Sequence, residues 1–390
     1  MELNILFIAN GVSSENGIPN ISGGDVMWIE VAKRWKDEGH IIYVYTPRAG
    51  ITLCKNLGLE ANYIISNVPD GHSVLNYLLR FFRALSIPQQ LTQYNGLVYS
   101  AAEHIYDVYP AMLLKTKNKG MIWVAVAHWV APIKRKGASP LNSILFYLNQ
   151  RLGFHYIRNK ADAIFAVSDS TVVSLKKINI VDNVFPIKAG VEYDKIRSIS
   201  AEIKEKPFDA IFMKRFDGAK GVFDIIEIWR QVVDAKKDAK LCMIGYGNNN
   251  MMKRLQKMVA ESNLSNNITF TGPIYNYDEK YTYLAKSKLF LLPSYEENWA
   301  IVIGESLASG VPVICYELPE IKPIWKDGVI WVEKGDKSGF AQAVIRMLGD
   351  PIDRNILSEK GINDVKELDW GILANEQMMI IKAIEKDGTT

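Results

Sequence analysis

The sequence is poor in the features that mark several large protein classes. Three cysteines occur in 390 residues, Cys54, Cys242 and Cys315, an odd number spread far apart in apolar surroundings. That spacing offers neither a disulfide framework nor a zinc site and predicts buried, reduced thiols in a cytoplasmic protein. No apolar run approaches the roughly 20 residues that cross a bilayer. The opening MELNILFIANG lacks the cationic lead and the length of a secretion signal. No Asp-x-Asp is present to hold a divalent ion, and no Gly-x-Gly-x-x-Gly follows the first strand, which counts against a dinucleotide fingerprint. Short repeats and low-complexity stretches are absent too, which excludes a solenoid. Charge of one sign is not in excess: 46 Lys and Arg against 43 Asp and Glu leave a net +3, too little for a field that would gather nucleic acid.

What is present is ordinary globular composition, 48% hydrophobic and 23% charged, in a chain long enough for two domains. Short apolar runs alternate with amphipathic stretches, the pattern of parallel sheets covered by helices. Strands are predicted at Asn4 to Ala9, His40 to Thr46, GLVYS from Gly96, MIWVAVA from Met121, AIFAVS from Ala163 and NVFPI from Asn183. A helix is predicted from Val26 to Glu38, with Trp28, Val31, Ala32 and Trp35 on one face. After the hydrophilic stretch SISAEIKEKPF the alternation restarts with DAIFMK, KLCMIGYG, NITFTG, KLFLLPS and GVPVICY. The expected organisation is an α/β, doubly wound domain over residues 1–200, a second over 201–368, and a helical segment 369–390 packing back on the first. Doubly wound sheets bind ligands at the carboxyl ends of their strands, so an interdomain cleft is the expected site.

Two segments carry the strongest chemical signals. In SYEENWAIVIGESLASGVPVICYE, from Ser294, a strand ends, a loop bears Glu297, and a helix begins near Trp299 or Ala300 with Glu305 inside it. Such a helix start presents N–H groups and a positive dipole end to an anion, and a carboxylate just inside can accept from vicinal hydroxyls. One acidic residue there is ordinarily a helix stabiliser; the pair in a strand–loop–helix unit is what suggests a site. In MKRFDGAKGVFDIIEIW, from Met213, Arg215 ends a strand and Lys220 precedes a glycine and a helix. Two such cations are often a solvated face, but together they can stabilise a leaving diphosphate without a metal. Weaker candidates are the Gly23–Gly24 pair before the first helix, Gly245 in GYG, and His128 at the end of MIWVAVA. Each also has an ordinary structural explanation as a turn or a satisfied strand-end histidine.

Taken together these segments resemble glycosyltransferase family 4, retaining enzymes of the GT-B fold, and the resemblance runs through nearly the whole chain. Its core is the two-Glu motif, here Glu297, NWAIVIG and Glu305 followed by SLASGVPVI. SGG from Ser22, ADAIFAVS from Ala161, AGVEYDKI from Ala189, GYG from Gly245 and ITFTG from Ile268 support it in order. The resemblance implies two facing Rossmann-like domains with an interdomain cleft. It implies that Arg215 and Lys220 bind the donor diphosphate, Glu305 the ribose, and Glu297 and His128 the donor sugar. Gly23, Gly24 and the backbone of Ala300, Ile301 and Val302 would complete the phosphate site, and Gly245 would be a further donor-binding residue. Departures are Lys214 in place of the usual Gly before the Arg, Asn298-Trp299-Ala300 in place of Gly-Phe-Gly, and Ala189 in place of Asn. They bear most directly on donor identity.

The expected activity is therefore transfer of a hexose from a UDP- or GDP-sugar to a glycan or lipid-linked acceptor, with no cofactor and no metal. The alternatives are a sugar-nucleotide epimerase on the same fold and a non-catalytic nucleotide-sugar-binding scaffold or sensor. SVLNYLLRFFRALSI from Ser73 and PIKRKGASPLNSILFYLNQRLGFHYIR from Pro132 mix apolar and cationic residues. They are read either as core helices with snorkelling cations or as a peripheral contact of the N-terminal domain with the inner face of a membrane.

Overall fold

The computed structural model describes residues 2–15, 17–69, 74–133 and 140–387. The chain divides into two compact units, Met1–Ala189 with Trp370–Thr390, and Gly190–Asp369.

In the first unit, seven parallel strands follow in chain order as β1 (Asn4–Ile8), β2 (Ile41–Thr46), β3 (Asn62–Ile65), β4 (Leu97–Ser100), β5 (Trp123–Ala127), β6 (Ala163–Ala166) and β7 (Val184–Pro186). Their order across the sheet is β3-β2-β1-β4-β5-β6-β7. The chain starts at the centre, winds outward one way, then returns and winds the other way. Between β1 and β4 the crossovers diverge, the point at which such sheets commonly bind ligands. β4, β5 and β6 are buried throughout, as expected of strands covered by helices on both faces. The Gly23–Asp37 helix seats Trp28, Val31, Ala32 and Trp35 on the sheet. Phe7 meets Trp28, Trp35 and Tyr99 there at centroid distances of 4.8–5.8 Å. The Trp370–Asp387 helix joins this unit, where the Trp35 indole N–H donates to the Ala374 carbonyl at 3.0 Å.

The second unit repeats the plan with six parallel strands: β8 (Phe208–Met213), β9 (Leu241–Ile244), β10 (Ile268–Gly272), β11 (Ser287–Leu292), β12 (Val313–Tyr316) and β13 (Val329–Val332), in the order β10-β9-β8-β11-β12-β13. Its order reverses between β8 and β11. The Tyr193–Glu202 helix belongs here, with Arg197 donating to the Ala308 carbonyl at 3.1 Å. A parallel bridge between Val191 and Asp369 lies at this unit's two ends.

β3 and β13 were not foreseen. Both are four-residue edge strands with partly exposed positions, so neither shows the continuous apolar run of a central strand. The first helix begins at Gly23 rather than Val26. Ser22 accepts from the Asp25 N–H and the Asp25 carboxylate accepts from the Ser22 N–H, a capping box that puts both glycines inside the first turn.

Two helices of the first unit turn apolar side chains outward. On Val74–Ala84, Leu75, Leu78 and Phe82 are exposed, while Arg80 points inward and donates to the carbonyls of Pro69 and Gly11. On Pro140–Lys160, Leu141, Ile144, Leu148 and Leu152 form an exposed stripe at three- and four-residue spacing. Ser73 and residues 134–139, with the three cations of PIKRK, lie outside the described residues.

Candidate functional site

The second unit gathers three loops at the carboxyl ends of β8, β9 and β11, across the reversal of strand order. The Phe216 N–H donates to the Tyr246 carbonyl at 2.9 Å, and the Tyr295 N–H to the Ala219 carbonyl at 2.8 Å. Two glycines permit this approach. Gly221 has φ +71°, and a Cβ there would lie 1.8 Å from the Pro293 carbonyl oxygen. Gly245 has φ +143°, and its Cβ would lie 1.9 Å from the Lys214 carbonyl oxygen. Any side chain at either position would drive the loops apart. Gly245 thus seats one loop on another.

Glu297 lies in the middle of this cluster. Its Oε1 receives Lys214 Nζ at 2.9 Å and Lys220 Nζ at 3.1 Å, and Lys220 also donates to the Glu296 carbonyl at 2.7 Å. The Glu297 side chain is 7% exposed. Burial pushes its carboxyl up, but the two ammonium groups overrule burial and hold it down at about 2. The same burial lowers Lys214, so part of what the carboxylate gains is returned by the lysine.

Arg215 stands apart from this trio. Its Nε and Nη2 bind Asp217 Oδ2 at 2.9 and 2.8 Å, and its side chain is 55% exposed. Asp217 Oδ1 accepts from the Lys220 N–H at 3.1 Å and so caps the Gly218–Lys220 turn. One carboxylate therefore aims Arg215 and fixes the backbone that carries Lys220.

The Ile301–Ala308 helix begins after Ala300, which adopts the left-handed conformation, φ 58° and ψ 61°. That geometry suits glycine and costs alanine roughly 1–2 kcal/mol. The N-cap residue is Ala300, which offers no side-chain acceptor to the first-turn amides of Ile301 and Val302. The turn is held from behind: the Trp325 indole donates to the Trp299 carbonyl at 2.7 Å, and Trp325 packs so close to Gly304 that a Cβ there would lie 2.8 Å away. The Trp299 indole N–H is buried and has no acceptor among the described residues. One turn into the helix, Glu305 is 3% exposed and its Oε1 meets Lys280 Nζ at 2.5 Å.

In the first unit the structure brings His128 and Gly24 together: a Cβ on Gly24 would lie 2.8 Å from the imidazole. His128 Nε2 lies 2.9 Å from the Ala101 carbonyl, which can only accept, so that nitrogen carries a proton. The His128 N–H donates to Glu103 Oε2 at 3.0 Å, and buried Glu103 is held in turn by Gln150. Gly23 neighbours Gly24 in the same helical turn.

The second unit therefore collects Lys220, Glu297 and Gly245 in one loop cluster, with Arg215 joined to Lys220 through Asp217. Sequence reasoning missed Lys214, Asp217, Lys280 and Trp325 as members. Asp217 was legible, since Asp-Gly three residues before Lys220 is a capping pattern. Lys214 was seen only as a departure, and Lys280 and Trp325 reach the site from distant segments with no local signature.

Two Rossmann-like units, each with a parallel sheet, are the GT-B plan of fold. Residues 194–364 match the model of the family described as glycosyl transferases group 1. That match takes in nearly the whole second unit, and it supports the resemblance to family 4-like glycosyltransferases. N-acetyl-alpha-D-glucosaminyl L-malate synthase of Bacillus anthracis is 25% identical over 366 residues, 90% of each chain. Phosphatidyl-myo-inositol mannosyltransferase of Mycobacterium leprae is 22% identical over 183 residues, 46% of this chain and 47% of that protein, so the chain spans about half its length. Among solved structures, Anabaena HepE in complex with UDP and glucose superposes with a TM-score of 0.74 at 15% identity, covering 98% of this chain and 100% of that one. That likeness is one of fold.

Proposed function

We propose that the protein transfers a hexose from a UDP- or GDP-sugar to a glycan or lipid-linked acceptor with retention of anomeric configuration and without a metal. The observation that carries this is the Lys214–Glu297–Lys220 cluster beside an uncapped helix start, at the reversal point of the sheet the family model matches. Cations and helix amides there can receive a diphosphate as the anomeric C–O bond breaks and the leaving oxygen takes the electron pair. Because Lys214 also neutralises Glu297, Lys220 can turn to a phosphate without stranding a buried carboxylate. Glu297 then accepts from hydroxyls of the sugar and Glu305 from those of the ribose. In the retaining reaction the acceptor proton passes to a donor phosphate oxygen on the same face, and the acceptor oxygen bonds to the anomeric carbon. His128, with Nε2 held at the Ala101 carbonyl, is the first unit's candidate for contact with sugar.

The test is nucleoside diphosphate release from a panel of UDP-, GDP- and ADP-sugars, followed by mass spectrometry for wild type and Glu305→Ala. Release from a UDP- or GDP-sugar, lost in the variant, is the expected result. Folded protein that neither releases nor binds any donor would sink the transferase and promote the scaffold.

A cytoplasmic location with peripheral contact to a membrane face belongs to the same proposal. Among the described residues no helix is long and apolar enough to cross a membrane. The outward stripes of Leu75, Leu78 and Phe82 and of Leu141, Ile144, Leu148 and Leu152 support surface contact, since such faces gain by burial at the acyl boundary. Wild type is expected to float with anionic vesicles at low salt, and Leu78→Glu with Leu148→Glu to remain at the bottom of the gradient. Equal flotation of the double variant counts against this face.

A further inference from the structure

We infer that Lys280 is a positioning residue that makes Glu305 select ribose over deoxyribose in the donor nucleotide. The inference rests on the donor site proposed above and concerns a residue outside the motif that suggested it.

Lys280 lies on the Tyr277–Ala285 helix, and its Nζ is 2.5 Å from Glu305 Oε1. The two side chains are 14% and 4% exposed. The ammonium also sits 4.8 Å from the ring centroid of Tyr277 and 5.0 Å from that of Tyr281, two rings stacked at 5.7 Å and 3°. A carboxylate and two aromatic faces thus hold one cation in place, and the buried Tyr281 ties that arrangement to the unit's core.

This fixes how Glu305 can meet a ligand. A buried carboxylate without a partner would turn toward water, and turned away it would accept less well from a ligand. With Lys280 on Oε1, that oxygen is occupied, the carboxylate is held in one orientation, and Oε2 remains the open acceptor. An ammonium carries three donors, so Lys280 can also donate to the oxygen of a hydroxyl whose proton goes to Glu305. A hydroxyl bound in this way satisfies both charged groups at once. A nucleotide lacking it leaves both short of a partner in a buried place, which is where discrimination is steep.

The test compares binding of UDP with 2′-deoxy-UDP, and of GDP with 2′-deoxy-GDP, by titration calorimetry, for wild type, Lys280→Met and Lys280→Gln. Wild type should favour the ribonucleotide by about tenfold or more. In both variants that preference should narrow to about threefold or less, by a greater loss for the ribonucleotide than for the deoxy form. If the Met variant fails to fold, as judged by circular dichroism, the Gln variant decides alone. Equal weakening of both nucleotides, with the preference intact, would show that Lys280 merely supports the fold and overturns the inference. Wild type that binds neither UDP nor GDP would instead bring down the donor site itself, and this inference with it. Wild type that binds both forms equally would overturn the inference alone.

Discussion

Replacing Lys220 by alanine is expected to lower turnover by about 10²–10³-fold, the usual cost of removing one preorganised donor from a site where charge develops. The protein should remain folded, because Lys214 still lies 2.9 Å from Glu297 and keeps that buried carboxylate paired. The loss should fall mainly on kcat, since the charge on a leaving diphosphate grows as the anomeric bond breaks and an interaction strengthened only then is read in kcat. Steady-state kinetics with saturating donor, beside a denaturation curve, measures both. An unchanged kcat would remove Lys220 from the reaction and leave it as an ion-pair partner of Glu297.

Replacing Glu297 by glutamine should produce the largest pH-dependent change in stability. The folded protein holds this carboxyl down at about 2, against an ordinary value of 4.5. A depressed carboxyl stabilises the fold fully above its unfolded value, and that stabilisation drains away as pH falls from about 4.5 through about 2. The difference amounts to about 3 kcal/mol at most, and the cost of burying Lys214 reduces it. Glu297→Gln should therefore be less stable than wild type at pH 7, with the gap closing by pH 2. Urea unfolding at a series of pH values measures it. A gap that persists at pH 2 would point to packing and not to charge as its source.

The central strands were readable because strands buried on both faces must be continuously apolar, as AIFA and LCMI are. The edge strands β3 and β13 escaped for the converse reason: one neighbour and partial exposure relax that demand. The first helix was placed three residues late because glycines usually interrupt helices. Here Ser22 and Asp25 satisfy the first turn without needing any side chain between them.

The candidate site divides along the same line. Arg215, Lys220, Glu297 and Glu305 stand out in sequence because each lies just after a strand or just inside a helix, where local punctuation announces a ligand-facing end. Lys214 reads as a misfit, a lysine where a glycine is usual, until Glu297 is seen to accept from it. Lys280 lies 25 positions from its partner, and nothing in the Tyr277–Ala285 segment announces that the ammonium faces a carboxylate. The outward leucines of Val74–Ala84 belong here too. The segment's composition fits a core helix as well as a surface one, and only the inward turn of Arg80 settles which face is dry.

The sequence by itself determined the two parallel sheets, their helical cover and the strand ends that carry the motif residues. Periodicity and punctuation act over a few residues, and the backbone must satisfy its hydrogen bonds locally. Only the tertiary structure decided which charges share which carboxylate: Lys214 and Lys220 on Glu297, Lys280 on Glu305, and Asp217 between Arg215 and the Lys220 amide. Those pairings depend on distance and burial between segments that meet only when the sheet closes. A few ångströms in a medium of low polarity determine whether a charge is a partner or a liability, and linear order carries no record of them.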